Sequence, residues 1–353
     1  MKYPEILGID AVLDQLDSFD AIIDARSPSE FALDHLPGAI NAPVLNDEQR
    51  IRVGTMYKQV NSFEAKKVGA VLVASNIAAH IERLWLEKPR EWRPLIYCWR
   101  GGNRSGAMAH ILGKVGWPVA QLDGGYKAFR AHVNAALEVA PPLRFKVVCG
   151  TTGSGKSRLL EVLHAQGAQV LDLEQLAAHR GSVLGDLPSH PQPSQKAFET
   201  AIWNTLRRFD PALPVFVESE SKKVGNLRVP TALMDTMRAA DCIALGLSRV
   251  NRVRLLMEDY QHFLVSPASL NVQLEHLAAL HGRETINRWQ SLSDCGHMAP
   301  LVEELLERHY DPAYLRSIDR NFVRYGQATA LELEDIDTPA FEQAAAHLIA
   351  NTR

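Results

Sequence analysis

The stretch "VVCGTTGSGKSRLLEVL", residues 147 to 163, leaves the chain little choice of fold. Gly150-Thr151-Thr152-Gly153-Ser154-Gly155-Lys156-Ser157 is a full phosphate-binding P-loop, with an apolar run before it and an amphipathic run after it. That order requires a buried strand, a loop of inward-pointing backbone N–H groups, and a helix whose N-terminus faces the phosphates. Lys156 is placed to reach the outer phosphate, and the Ser157 hydroxyl is a candidate ligand for Mg2+. A strand that feeds a helix in this way belongs to a parallel sheet covered on both faces.

A second loop repeats the theme earlier in the chain. In "LIYCWRGGNRSGAM", residues 95 to 108, Cys98 closes a buried apolar run and opens a glycine-rich turn that leads into a helix. Ligands of open α/β sheets sit at such strand ends. Gly101 and Gly102 let N–H groups form an anion-binding nest, while Arg100 and Arg104 supply cationic donors. Trp99 and Ser105 complete the loop. A thiolate with an anion held against it can serve phosphate ester hydrolysis or sulfur or selenium transfer. Five residues separate Cys98 from Arg104 and Ser105 follows, a spacing shared with Cys-x5-Arg phosphatases.

Strands recur around both loops. "DAIIDAR" (20 to 26), "RPLIYCW" (93 to 99) and "PVAQLDGGY" (118 to 126) precede the connector "ALEVAPPLR". "RFKVVCG", "AQVLDLE", "LPVFVESE" and "DCIALGLS" follow it, and from about residue 252 the pattern is helical. The expected architecture is α/β: a parallel-sheet domain over 1–135, a linker over 136–143, a P-loop domain over 144–300 and a helical C-terminal region over 301–353. The chain of 353 residues carries a formal net charge of −3, so an RNA site must be a local patch. Its four cysteines stand far apart, which predicts neither a disulfide framework nor a structural metal. The acidic N-terminus and the lack of a long apolar window predict a cytoplasmic protein with no membrane span.

Three segments together resemble the rhodanese fold. They are Asp24-x-Arg26, the turn His35-x-Pro-Gly-Ala-x-Asn41, and "LDGGYKAFRAH" (122 to 132), in order around the Cys98 loop. Asp24, Arg26, His35 and Asn41 are expected to tie loops together. A rhodanese-like module followed by a P-loop module is similar to the tRNA 2-selenouridine synthase family. The similarity extends through "YCWRGGNRSG", "RVGTMYKQVN", "LDLEQLAAHRGSVLG", "FVESESKKVGNLRVP" and "ERHYDPAY". Asn103 departs from the pattern, where an apolar residue is expected.

The resemblance implies a transferase that converts 2-thiouridine to 2-selenouridine at the wobble position, uridine 34, of tRNAs for lysine, glutamate and glutamine. Its co-substrates are then selenophosphate and geranyl diphosphate, its partner the tRNA anticodon stem-loop, and its selenium supplier a selenophosphate synthetase. In this reading the P-loop binds the prenyl diphosphate, and Cys98, with Arg100 and Arg104, takes up selenium. The alternatives are a rhodanese-type sulfurtransferase fused to a small-molecule kinase, and a phosphatase. Candidate acids for the Mg2+ or phosphate site are Glu218 and Glu220 after one strand, or Asp172 and Glu174 after another. Candidate contacts to tRNA or phosphate are Lys222 and Lys223 (with Arg228), Arg249, Arg252 and Arg254. Arg316, Arg320 and Arg324 would line up at four-residue spacing on a helix, with Tyr325 beside them. Each of these basic groups reads equally as a solvated face.

Overall fold

A computed structural model of the chain describes residues 4–100, 102–182, 185 and 190–352. The chain divides into two compact units, Met1–Ala136 with Glu199–Trp203, and Leu137–Phe198 with Asn204–Arg353.

The first unit is built on a five-stranded parallel sheet. Its strands are β1 (Glu5–Leu7), β2 (Ala21–Asp24), β3 (Ala39–Asn41), β4 (Pro94–Tyr97) and β5 (Ala120–Leu122), in the order β1-β5-β4-β2-β3. Every residue of β4 is buried, as its unbroken apolar run requires of a central strand. On one side Ile23 and Ile96 join Met108, Leu112 and three tryptophans. Trp92 packs on Trp85 at 5.7 Å and edge-on against Trp117 at 5.2 Å, contacts worth roughly 0.5–1.5 kcal/mol each beyond area burial. The helix Ser62–His80 buries Ala65, Gly69 and Ile77, while Val71 on the opposite side is exposed. Helix Asn103–Val115, which follows the cysteine loop, stops at Gly116, whose φ of 116° is open to glycine.

In the second unit β6 (Arg144–Cys149), β7 (Gln169–Leu171), β8 (Pro214–Glu218), β11 (Asp241–Leu247) and β12 (Thr329–Leu333) form another parallel sheet, ordered β12-β11-β6-β8-β7. Between β8 and β11 a small antiparallel hairpin joins β9 (Lys223–Val224) to β10 (Leu227–Arg228). Helices Lys156–Ala165 and Thr338–Thr352 pack together over the sheet through Leu159, Leu163, Phe341 and Leu348. A separate cluster of Leu274, Trp289, Leu301 and Leu305 holds the helical region together.

The seven strands expected from apolar runs are β2, β4, β5, β6, β7, β8 and β11. The C-terminal region is not wholly helical: Thr329–Leu333 pairs with β11 from Ile243↔Thr329 to Leu247↔Leu333. Its sequence, Thr-Ala-Leu-Glu-Leu, is mostly strong helix formers, and pairing along an open sheet edge overrides that preference.

Candidate functional site

In both sheets the chemistry collects where the strand order reverses. In the first unit that point is the C-terminal end of β4, between β2 and β5.

Here the rhodanese-like signatures act as a frame. Asp24 and Arg26 are both fully buried and form a forked ion pair at 2.6 to 3.0 Å. Arg26 also donates to the Asp34 carbonyl at 2.6 Å, and its guanidinium lies 3.9 Å from the centre of the Tyr126 ring. Asn41 donates to the carbonyls of Asp24 and Arg26, and His35 bonds the Phe31 carbonyl and stacks on its ring. Asp24, Arg26 and Asn41 join the loops by hydrogen bonds, while the bond of His35 stays within its own segment.

Cys98 sits on that frame, 4% exposed. Ser105 donates to its Sγ at 3.1 Å, and Gln121 in turn donates to Ser105 at 3.2 Å. The amides of Tyr126 and Lys127 hold the carbonyls of Cys98 and Trp99, so the Gly124-Gly125 turn anchors the cysteine loop. Gly124 has φ of 66°, and a Cβ there would meet that of Ala128 at 2.7 Å. Trp99 and Arg100 are exposed. Gly102 caps the helix, and Gly101 lies outside the described residues. Arg104 is not free to swing. Glu30 grips it at 2.6 and 3.3 Å. Burial works to raise the Glu30 carboxyl, but Arg104 outweighs it and holds the group below the usual carboxylate range. Glu30 carries no motif, so only three-dimensional structure reveals this partner.

In the second unit the P-loop leaves β6 as expected. Gly153 and Gly155 have φ of 78° and 89°, and a Cβ on Gly155 would stand 2.7 Å from the Phe341 ring. Lys156 Nζ donates to the Gly150 carbonyl at 2.7 Å, and the Gly150 amide donates to the Tyr314 hydroxyl at 2.6 Å. Cys149 is buried in β6, and its bond with Cys242 together with burial pushes its thiol far up. It is a strand residue.

The acids divide by role. Ser157 donates to Glu174 at 3.0 Å, so Glu174 is the carboxylate that meets the P-loop hydroxyl. Glu218, 2% exposed, accepts the Glu174 amide at 2.9 Å, and its other oxygen has no hydrogen-bond partner among the described residues. Asp172 accepts the Gln175 amide at 2.7 Å and caps the helix Leu173–Ala177. A Cβ on Gly181 would meet Glu174 at 2.5 Å and Glu220 at 2.7 Å, so both carboxyls converge there. Burial, then crowding, pushes Glu220 up to about 8 and Asp172 up to about 6, and burial followed by Asp172 and Glu174 pushes Glu218 well up.

Two expectations for the basic residues fail. Arg252 is 6% exposed, and its guanidinium is taken up by the Thr152 carbonyl and Asp311. It braces the P-loop and offers nothing to RNA. The three-arginine stripe also breaks, because its helix, Asp311–Asn321, ends before Arg324. Arg324 instead pairs with Asp241 at 2.7 Å. Arg316 and Arg320 stay exposed on that helix, Lys222, Lys223 and Arg228 are exposed at the β9–β10 hairpin, and Arg249 and Arg254 pair with Glu307 and Asp335.

The two sites, each on its own parallel sheet, define a two-module chain that joins a rhodanese-like cysteine loop to a P-loop. Residues 9–132 match the profile described as "Rhodanese-like domain", and residues 143–279 match "tRNA 2-selenouridine synthase AAA domain". Relatives similar to this chain bear the name tRNA 2-selenouridine synthase, among them the following three. That of Nitrosomonas europaea is 36% identical over 265 residues, 74% of this chain and 68% of the relative. That of Shewanella halifaxensis is 31% identical over 329 residues, 85% and 89% of the two chains. That of Shewanella denitrificans is 35% identical over 324 residues, 83% and 87%. The chain belongs to the tRNA 2-selenouridine synthase family. No helix among the described residues is long and apolar enough to cross a membrane.

Proposed function

We propose that this chain is a tRNA-modifying transferase that replaces the sulfur of 2-thiouridine with selenium at wobble uridine 34 of tRNAs for lysine, glutamate and glutamine. The observation that carries the reading is the presence of two different anion sites in one chain, a thiol loop and a P-loop, within a member of this family. In the first step the P-loop holds the diphosphate of geranyl diphosphate. The thiocarbonyl sulfur bonds to the allylic carbon, the carbon–oxygen bond breaks, diphosphate leaves with the electron pair, and the N3 proton passes to solvent. Alkylation turns a poor leaving group into a thiolate.

In the second step selenium adds to C2 and geranyl thiolate departs. Cys98 is the nucleophile of this step: its thiolate attacks the phosphorus of selenophosphate, a donor that a selenophosphate synthetase would supply, and the phosphorus–selenium bond breaks with its electron pair on selenium. The selenide so freed adds to C2, water hydrolyses the phosphocysteine to phosphate, and selenium keeps its oxidation state throughout. Arg100, Arg104 and the loop amides serve the donor's oxyanions. For the diphosphate, Gly150 through Ser157 give backbone N–H groups, with Lys156 as the fixed charge.

The acids fit a divalent cation. Ser157 and Glu174 form a hydroxyl–carboxylate pair, and burial with crowding has raised the neighbouring Glu220, which a cation would relieve. Mg2+ bound there would neutralise charge on the departing diphosphate. The exposed Lys222, Lys223 and Arg228 at the hairpin, with Arg316 and Arg320, are among the described basic groups open to the tRNA backbone.

Nucleoside mass spectrometry of tRNA from cells with and without the protein tests the reading. Loss of 2-selenouridine is expected. Cells with Cys98→Ala should accumulate S-geranyl-2-thiouridine, and cells with Lys156→Ala should lose both products. Unchanged nucleosides without the protein would overturn the proposal, and normal geranylation in Lys156→Ala would return the P-loop to a nucleotide.

A further inference from the structure

Beside the P-loop the second unit contains an apolar cleft, enclosed over about 60 Å³ and opening from there to solvent. Ten of its fourteen described lining residues are leucine, valine, methionine or phenylalanine, and none of the described ones is charged. A void of this kind inside the cluster of Leu270, Leu301 and Leu305 forfeits packing contacts.

The cavity is continuous with the phosphate site. Thr152, Ser182, Leu256, Tyr260 and Tyr310 line both the apolar cavity and the pocket around Gly153 to Ser157. Ser182 hydrogen-bonds with both tyrosines. Tyr260 stacks on Phe263 at 5.9 Å, and the Arg180 guanidinium lies 5.0 Å from its ring centre. A diphosphate cradle therefore opens into a hydrocarbon-lined chamber, with two aromatic rings at the junction.

We infer that this chamber holds the hydrocarbon tail of the prenyl diphosphate and that its depth selects the chain length. The inference rests on the P-loop reading proposed above. The tail lies among Met298, Leu301 and Val302. The allylic carbon lies at the junction, where the Tyr260 and Tyr310 rings face positive charge that develops as the diphosphate departs. Recognition is thus split, with charge read by the P-loop and length read by the cavity wall.

The test uses the full chain with tRNA bearing 2-thiouridine and dimethylallyl, geranyl or farnesyl diphosphate, with products read by nucleoside mass spectrometry. Val302→Trp shortens the chamber and should lower geranyl transfer at least about tenfold while sparing dimethylallyl transfer. Leu301→Ala should raise farnesyl transfer relative to geranyl by about tenfold. Leu264, at the wall and 39% exposed, provides a variant that does not disturb the core. Leu264→Glu should weaken binding of the unreactive geranyl thiolodiphosphate about tenfold and leave inorganic diphosphate binding unchanged. Unaltered chain-length ratios and analogue affinity in all three variants would overturn the inference while leaving the P-loop reading intact. If the wild-type protein transferred none of the three prenyl groups, the P-loop reading itself would fall, and this inference with it.

Discussion

Arg252 donates to the carbonyl oxygen of Thr152 from two nitrogens, at 2.9 and 2.7 Å. The same guanidinium reaches both oxygens of Asp311, at 3.1 and 2.5 Å. A residue nearly 60 positions downstream, in the "ERHYDPAY" segment, thus fixes a P-loop carbonyl through one planar fork. The pair is largely buried, so its hydrogen bonds are little screened.

Arg252→Lys keeps the charge and loses the fork. The expected result is weaker binding of inorganic diphosphate, by about tenfold, with a fall in stability of roughly 1–3 kcal/mol. Isothermal titration and thermal unfolding measure the two effects. Unchanged diphosphate affinity would show that the brace does not position the loop.

The frame beneath Cys98 should be less tolerant. Arg26→Ala leaves Asp24 fully buried without its cation and removes the plane stacked over Tyr126. Removing one partner of a buried pair costs about 3–5 kcal/mol, a large share of the stability of a single domain. Chemical denaturation of the full chain should show the first unit unfolding at lower denaturant, with the second unit's transition little moved. A small shift in both would contradict the structural role of this pair.

These residues show what could be read from sequence. Cys98 and Lys156 were legible because local spacing dictates their surroundings: each stands where a buried strand meets a glycine turn and a helix. Asp24, Arg26 and Asn41 were legible because their partners lie within the same short signature. Arg252 was misread because its burial depends on Asp311 and Thr152, and an arginine at the start of a helix looks the same in sequence whether it faces water or a carbonyl. Glu30, Tyr314 and the meeting of Ser157 with Glu174 depend on contacts 74, 164 and 17 positions apart. β12 was hidden for a related reason, since its partner rather than its residues makes it a strand.

The acid cluster predicts an unusual response to pH. Glu220 and Asp172 hold protons more tightly in the folded chain than in the unfolded one, at about 8 and about 6. Their contribution to stability is therefore complete at pH about 4 and is lost as pH rises through about 6 and then about 8. Melting temperature, followed by calorimetry, should fall across that window, and Glu220→Gln should flatten its upper part. Mg2+ competes with these protons, so millimolar Mg2+ should raise the melting temperature at pH 8 and have little effect at pH 5. A melting temperature equally responsive to Mg2+ at both values would separate the cation from these carboxyls.

Arg104 and Glu30 offer a way to separate gripping an anion from holding a helix. The pair is well packed, with side chains 17% and 23% exposed, and Glu30 neutralises a guanidinium carried by the first turn of the helix that follows the cysteine loop. Glu30→Gln keeps a hydrogen-bonding group in place while removing the negative charge. If Arg104 serves only to fasten the helix, stability and selenium incorporation should fall together. If it also holds selenophosphate, the more positive loop should bind the donor more tightly even as stability drops by about 1 kcal/mol. The expected outcome is therefore a lower melting temperature with a KM for selenophosphate reduced severalfold. Arg104→Ala should lower stability and raise that KM at least tenfold. Steady-state assays of selenium incorporation on geranylated tRNA, beside thermal unfolding of each variant, distinguish the two cases. A KM that rises in Glu30→Gln would remove Arg104 from the donor site and leave it a structural role.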